Sequence, residues 1–382
     1  MKSVRARQTW ALFVAAYREL NARKLFWLTI VLSGLVVGAL SCVGIDEEGI
    51  TIWPFGFIED SEFFNSNVIA VETFYKIMFV SFGVTWWLGL GATALALVST
   101  ASIVPDLVSA GAVDVMLAKP ISRTRLFLTK FATGLLFTAL QVSVFALASF
   151  LVIGVRGGAW EWGLFLAVPF VVVSYSYLFS VCAVIGLVTR SAVAALLLTA
   201  LFWMFLFGIH TSDMIVSFGR IASELELKGI EQAIAAEQAN PTPATKSSLL
   251  PDQAPEDGET VQMEDLQTAL AEQQADNARW QTAYFWLHGS KTVLPKVTET
   301  LALLERVLVE KARLPQSEED RESRRGPGAR IFGLGRVKRA EYDTAVEADE
   351  ASRGVVWTIG TSLLFEAAVL ALATWRFNRR DF

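Results

Sequence analysis

The sequence predicts an all-α polytopic membrane protein: six transmembrane helices, an N-terminal amphipathic interfacial helix, and a helical extracytoplasmic insertion between helices five and six. Three observations predict it. The chain has 382 residues, 53% of them hydrophobic, with 26 Phe and 12 Trp, and its mean hydropathy of +0.44 is too high for an ordinary soluble protein. Six apolar runs are long enough to cross a hydrocarbon core about 30 Å thick, which takes about 20 helical residues. Each run is continuous and shows no period-two alternation, so it reads as helix rather than barrel strand.

Residues 1–25 set Lys2, Arg5, Arg7, Arg18, Arg23 and Lys24 against one acid, Glu19. Trp10, Phe13, Val14, Tyr17 and Leu20 recur at three- and four-residue spacing. That stripe suits a helix lying in the interface of an anionic leaflet; the other reading is a mobile basic tail. Ala39-Leu40-Ser41-Cys42 has the look of a lipoprotein cleavage box, but the basic region ahead of its apolar run is about 25 residues long, so the first span is expected to be retained. The spans fall near Phe26–Gly44, Phe74–Val104, Leu126–Val155, Trp162–Val188, Ala192–Ile209 and Val355–Trp375. The second exceeds a minimal span, and it tilts or continues beyond the membrane. Trp27, Trp160, Trp162, Trp357 and Trp375 stand near span ends, as an aromatic belt does.

Basic residues flank the spans unevenly. One side receives the N-terminal group, Lys119, Arg123, Arg125, Lys130, Arg190, Arg376, Arg379 and Arg380; the short loops of the other hold only Lys76 and Arg156. The first of those loops is acidic, with Asp46, Glu47, Glu48, Glu59, Asp60 and Glu62. The positive-inside rule puts both termini and the loop at 105–125 in the cytoplasm, in a bacterial inner membrane. Residues 210–354 then form the extracytoplasmic insertion, residues 355–376 the sixth span and residues 377–382 a basic cytoplasmic tail. Within the insertion, Met214–Ala239, Val261–Leu287 and Leu294–Leu314 read as helices, with Leu301, Leu304 and Leu308 in register. Residues 240–260 and 316–330 read as flexible linker and solvated loop.

Enzymatic chemistry is poorly supported. No GxxxxGK[ST] loop is present; His288-Gly289-Ser290-Lys291-Thr292 resembles its end but lacks the upstream glycine. HExxH and GxSxG motifs are absent, and the two histidines are His210 and His288. Cys42 and Cys182 lie in apolar runs and read as small buried hydrophobes. No metal, catalytic or cofactor-binding residue is expected on this chain. The net charge of −5 changes sign along the sequence and says little about partners; no nucleic-acid partner is expected.

Two polar residues stand inside spans: Gln141 in the third and Glu366 near the centre of the sixth. A central acid costs about 3 kcal/mol, which nine Leu, Ile, Val and Phe residues at roughly 0.3–0.6 each about offset. The span should insert, with Glu366 facing protein or water rather than lipid. It is either a carboxylate on a translocation path, proton-linked or not, or a packing residue hydrogen-bonded between spans.

The polar interruption at 104–130, VPDLVSAGAVDVMLAKPISRTRLFLTK, is the part that another subunit would grip. Pro105 and Lys119-Pro120 bound a short amphipathic segment with Leu107, Val108, Val113, Met116 and Leu117 on one side and Asp106, Ser109 and Asp114 on another. Its GAVDVMLAKPISRTRLFLTK stretch resembles the motif between the second and third spans of ABC transporter permeases of the type-2 exporter superfamily, through Asp106, Gly111, Asp114, Leu117, Pro120, Ser122, Arg123 and Lys130. The C-terminal Trp375-Arg376-Phe377-Asn378-Arg379-Arg380-Asp381-Phe382 is similar to that family's usual ending. The resemblance implies a permease without catalytic residues of its own, working as a homodimer or heterodimer with a cytoplasmic ABC ATPase that binds the ATP. Its coupling helix would lie near 106–118, with Asp106, Gly111, Asp114, Met116, Leu117, Pro120 and Arg123 engaging the ATPase. The sequence departs from many relatives at Leu107-Val108-Ser109-Ala110, where they carry more charge, and in its larger insertion. The competing expectation is an accessory or signalling membrane protein whose outer helical domain binds a partner.

Overall fold

The computed structural model describes residues 24–47, 49–53, 56–60, 70–108, 122–239, 263–312 and 354–379, with Val14, Arg18, Ser66, Thr344 and Ala345 as isolated positions. Among the described residues six helices are long and apolar enough to cross a membrane, as the sequence predicts. Packing divides the chain into two units. One comprises Met1–Leu206, Pro295–Pro315 and Thr358–Phe382; the other comprises Phe207–Leu294 and Gln316–Trp357. Most of the predicted interfacial helix, and the linkers at 240–260 and 316–330, lie outside the described residues.

The first unit is the bundle. Helix α1 (Lys24–Cys42) buries Phe26, Thr29, Ser33 and Val37 on one face and exposes Leu28, Val31 and Leu35. An antiparallel meander follows, β1 (Val43–Ile45), β2 (Gly49–Ile52) and β3 (Phe57–Asp60), where the sequence reads as acidic loop. Strands of three or four residues are too short to display alternation. Gly56 makes the second turn at φ 65°, a region open to glycine and costly for other residues.

Helix α2 (Val71–Leu107) is the long second span. From Phe79 to Ala92 it is wound as a π-helix, a form that polar groups inserted into the hydrogen-bond ladder favour. Thr93 Oγ1 donates to the Leu88 carbonyl five residues back, at 2.7 Å. The helix breaks at Ala101-Ser102 because Pro105 lacks an N–H and its ring collides with the carbonyl four residues earlier. Helix α3 (Arg123–Arg156) and helix α4 (Ala167–Thr189) form the centre, and α4 is the most enclosed of the six spans. Phe131, Phe179 and Tyr175 stack in turn at 5.1 and 5.5 Å between centroids, and Gly134 is small because a Cβ there would strike the Phe179 ring.

A two-residue turn joins α4 to α5 (Ala192–Ala239). Arg190 ends α4 in the left-handed conformation, φ 56°, where glycine is the usual residue. Ser191 Oγ accepts the Ala194 N–H at 3.3 Å as an N-cap. The fifth apolar run, which by composition ends near Ile209, continues as one helix of 48 residues, about 72 Å at 1.5 Å per residue. Helices α6 (Met263–Val293), α7 (Val297–Ala312) and α8 (Val355–Asn378) follow among the described residues. Pro295 stands between α6 and α7, where proline disfavours helix in the residue before it.

Two apolar clusters share the bundle. One includes Phe26, Leu97, Leu107, Phe127, Phe137 and Phe377; the other includes Val37, Phe79, Leu88, Phe145, Ile153 and Leu304. Helix α7 belongs to the second. Its Leu304 and Leu308 are buried there, with Leu301 beside Gly89 and Leu308 beside Gly163. The predicted register of Leu301, Leu304 and Leu308 thus forms a buried stripe, and α7 packs with the spans although the sequence places it in the outer insertion. Near the second cluster Lys76 pairs with Glu72 and, at 3.1 Å, with Glu161. Arg156 donates to the Ser41 carbonyl and lies over the Tyr75 ring.

The second unit contains a helical hairpin. Asp213 meets Lys291, Gly219 meets Trp280, and Ser223 meets Asn277, so the later part of α5 and α6 run antiparallel. Arg220 lies over the Tyr284 ring, 4.5 Å from its centroid.

Candidate functional site

Between the two apolar clusters, the spans carry polar residues. On α1 the buried residues between them are Thr29 and Ser33, on α2 Thr93, on α3 Thr138 and Gln141, and on α4 Ser174. The hydroxyls of Thr29, Thr93 and Thr138 donate within their own helices, that of Thr138 to the Gly134 carbonyl at 3.4 Å. Gln141 reaches farther. Its Nε2 donates to the Ala92 carbonyl at 3.4 Å, at the end of the π-helical stretch, while its Oε1 has no partner among the described residues. The Ser33 hydroxyl is likewise buried without one. Such orphans are costly in an apolar interior, and they mark a level of the bundle where hydrogen-bonding capacity is in surplus.

A second polar seam runs along α8. Thr358, Ser362 and Glu366, four residues apart, are all buried and fall on one face. Glu366, only 8% exposed, accepts a hydrogen bond from Ser176 Oγ of α4 at 2.7 Å. Beside it the Phe202 and Phe365 rings lie nearly parallel with centroids 6.3 Å apart. Ser362 Oγ donates to the Thr358 carbonyl at 2.7 Å and accepts the Lys296 N–H at 2.9 Å. Lys296 Nζ donates to Thr361 Oγ1 at 2.7 Å, and Ser174 Oγ donates to the Val297 carbonyl at 3.1 Å. The start of α7 is therefore fastened between α4 and α8 by three polar contacts. The Tyr177 hydroxyl, fully buried on α4, faces Thr300 of α7 and Ser362 of α8.

Glu366 and Gln141 do not form a common pair: each has its own described hydrogen-bond partner, Ser176 and Ala92 respectively. Sequence reading found both, because each is a lone polar side chain in a hydrophobic run. It missed Lys296, Ser176 and the hydroxyls of α8. Thr358 and Ser362 stand at four-residue steps before Glu366, which is a legible signal. Lys296 has none, since its burial depends on where α7 docks. The seam brings an ammonium to Thr361 and a carboxylate to position 366 of the same helix, five residues on, in surroundings where polar groups of both signs are expensive and functional roles are common. Among the described residues no group of three His, Cys, Asp or Glu would hold a metal ion.

Of the expected coupling residues, Asp106 and Arg123 are described; Gly111, Asp114, Met116, Leu117 and Pro120 lie outside the described residues. Both flanks of that segment are firmly seated. Val104, Pro105 and Leu107 are buried, and the Pro105 ring packs so closely on Gly186 of α4 that a Cβ there would stand 3.0 Å from it. At the other flank Arg123 donates to the Asn378 carbonyl at 3.3 Å, and Asn378 Nδ2 donates to Thr124 Oγ1 at 3.0 Å. Phe127 and Phe377 pack beside them, 5.9 Å between centroids.

A family model described as an ABC-2 family transporter protein matches residues 3–278. The match takes in α1 to α5 and part of α6, and leaves α7, α8 and Glu366 beyond its end. No curated protein and no solved structure matches the chain.

Proposed function

Because the chain belongs to the ABC-2 family of transporter proteins, we propose that it is the permease subunit of an ATP-driven exporter, moved by a separate cytoplasmic ABC ATPase that grips residues 106–118. The observation that carries this reading is the anchoring on both sides of that segment. A push delivered there reaches α4 through Pro105 and Gly186, and α8 through Arg123, Thr124 and Asn378. Stiff, packed contacts of this kind transmit displacement, whereas a solvated loop would absorb it. The termini and the Arg123 end of the bundle face the cytoplasm in this reading, in a bacterial inner membrane. Two permease copies, identical or different, pair with the ATPase subunits. Glu366 and Gln141 line the polar route through the spans, and the chain itself carries no cofactor.

The test is co-purification of the ATPase from mild detergent. Gly111→Arg and Leu117→Glu place bulky charge on the surface that docks and are expected to abolish ATPase capture, while the permease still inserts at wild-type level. Undiminished capture by both variants overturns the coupling assignment.

A further inference from the structure

Two contacts set the depth of α6 against helices that enter the membrane. Lys291 Nζ donates to Asp213 Oδ2 at 2.7 Å, and both side chains are buried. Asp213 stands twenty-one residues after Ala192, the first residue of α5, about 32 Å along the axis. Three residues earlier on α6, the His288 ring lies flat on Trp357, with centroids 4.9 Å and planes 3° apart. Trp357 stands twenty-one residues before Asn378, the last residue of α8, again about 32 Å. A hydrocarbon core is about 30 Å thick. Each contact therefore lies about one core thickness along its helix from that helix's Ala192 or Asn378 end.

The character of α6 changes at the same place. From Glu272 to Arg279 its exposed positions include Glu272, Asp276 and Arg279. From Trp280 to Val293 the one Lys, Arg, Asp or Glu is Lys291, and it is buried on Asp213. The most exposed large side chains of that stretch are Phe285, Trp286 and Val293, each 71% exposed. Trp286 and Val293 are seven residues apart and share one stripe; Gly289 lies between them with open space around it. Val355 and Val356, which open α8 beside Trp357, are exposed too. Trp and Phe at this depth are the residues that membrane interfaces favour.

We propose that the base of the hairpin, Phe285 to Val293, is seated in the lipid–water interface, so that α6 is held by phospholipid at one end and stands in water at the other. The insertion is then anchored to the bilayer itself, with Trp286 as the principal contact and the Asp213–Lys291 pair as the buried latch behind it.

The test uses the full chain in phosphatidylcholine–phosphatidylglycerol nanodiscs, with Cys42→Ser and the buried Cys182 left in place. Nitroxide labels are carried by Trp286→Cys and Val293→Cys, with Leu201→Cys as the lipid-facing reference and Ala275→Cys as the aqueous one. Expected is relaxation by a water-soluble nickel chelate at 286 and 293 well below that at 275 and above that at 201, with oxygen relaxation retained; the label at 275 remains fully sensitive to nickel. Nickel relaxation at 286 and 293 equal to that at 275 overturns the proposal. So does shielding from both agents, which would place a second copy or another protein there. A second measurement needs no cysteine: lipids brominated near the headgroup should quench a smaller share of tryptophan emission in Trp286→Phe than in wild type, and an unchanged share counts against the proposal.

Discussion

Glu366 is held by a single described hydroxyl, Ser176 Oγ at 2.7 Å, which is slender support for an acid in the middle of a membrane span. A carboxylate kept only for packing is replaceable by its amide, which has the same shape and can still accept from Ser176 through its carbonyl oxygen. A carboxylate that meets cargo or carries a proton is not replaceable. Glu366→Gln is therefore expected to preserve folding and membrane yield while lowering transport at least about tenfold, the effect of about 1.4 kcal/mol on a rate. Reconstituted vesicles with the partner ATPase supply the measurement. Wild-type transport with an unchanged pH profile would reduce Glu366 to a packing residue.

At the scale of elements, α7 changes the meaning of the large insertion. Its leucines read from sequence as one register on a helix of the insertion, and that register forms a seam against spans two and four. Leu304 is fully buried in the bundle, so Leu304→Asp puts an unpaired charge into a packed apolar cluster, at a cost of several kcal/mol. The expected result is loss of the monodisperse peak on size exclusion and a lower melting temperature in detergent, whereas Ala275→Asp on the exposed face of α6 leaves both unchanged. Equal behaviour of the two variants would deny α7 its structural role. A deletion from 240 to 330 would remove α7 along with α6, so it cannot isolate the contribution of the outer segment; removal of 241–260 alone spares every described helix.

For the molecule as a whole, the proposed machine requires a particular orientation. Residues 106–118 must face the compartment that holds the ATPase, and Arg156 must face the other. Single cysteines introduced at 109 and at 157 are expected to react with a membrane-impermeant maleimide from opposite sides, 109 only after the cells are opened and 157 in intact spheroplasts. Labelling of 109 from outside would separate the segment from any nucleotide-driven motor.

Six spans, their approximate limits, the membrane class, and the polar positions Gln141 and Glu366 were all legible in the amino-acid sequence. The family was legible too, through the residues around Gly111, Pro120 and Arg123. The reason is physical: a transmembrane helix satisfies its own backbone hydrogen bonds, so length and hydropathy suffice to specify it. Tertiary structure alone decided which surfaces meet. Lipid-facing and protein-facing apolar side chains are chemically alike, so nothing in the composition of α7 tells that Leu304 is buried in the second cluster of the bundle. Lys296 looks like a surface lysine until α7 docks and carries it to Thr361 and Ser362. The continuation of α5 past Ile209 and the short strands after α1 depend on the same kind of distant contact, with α6 and with Arg156.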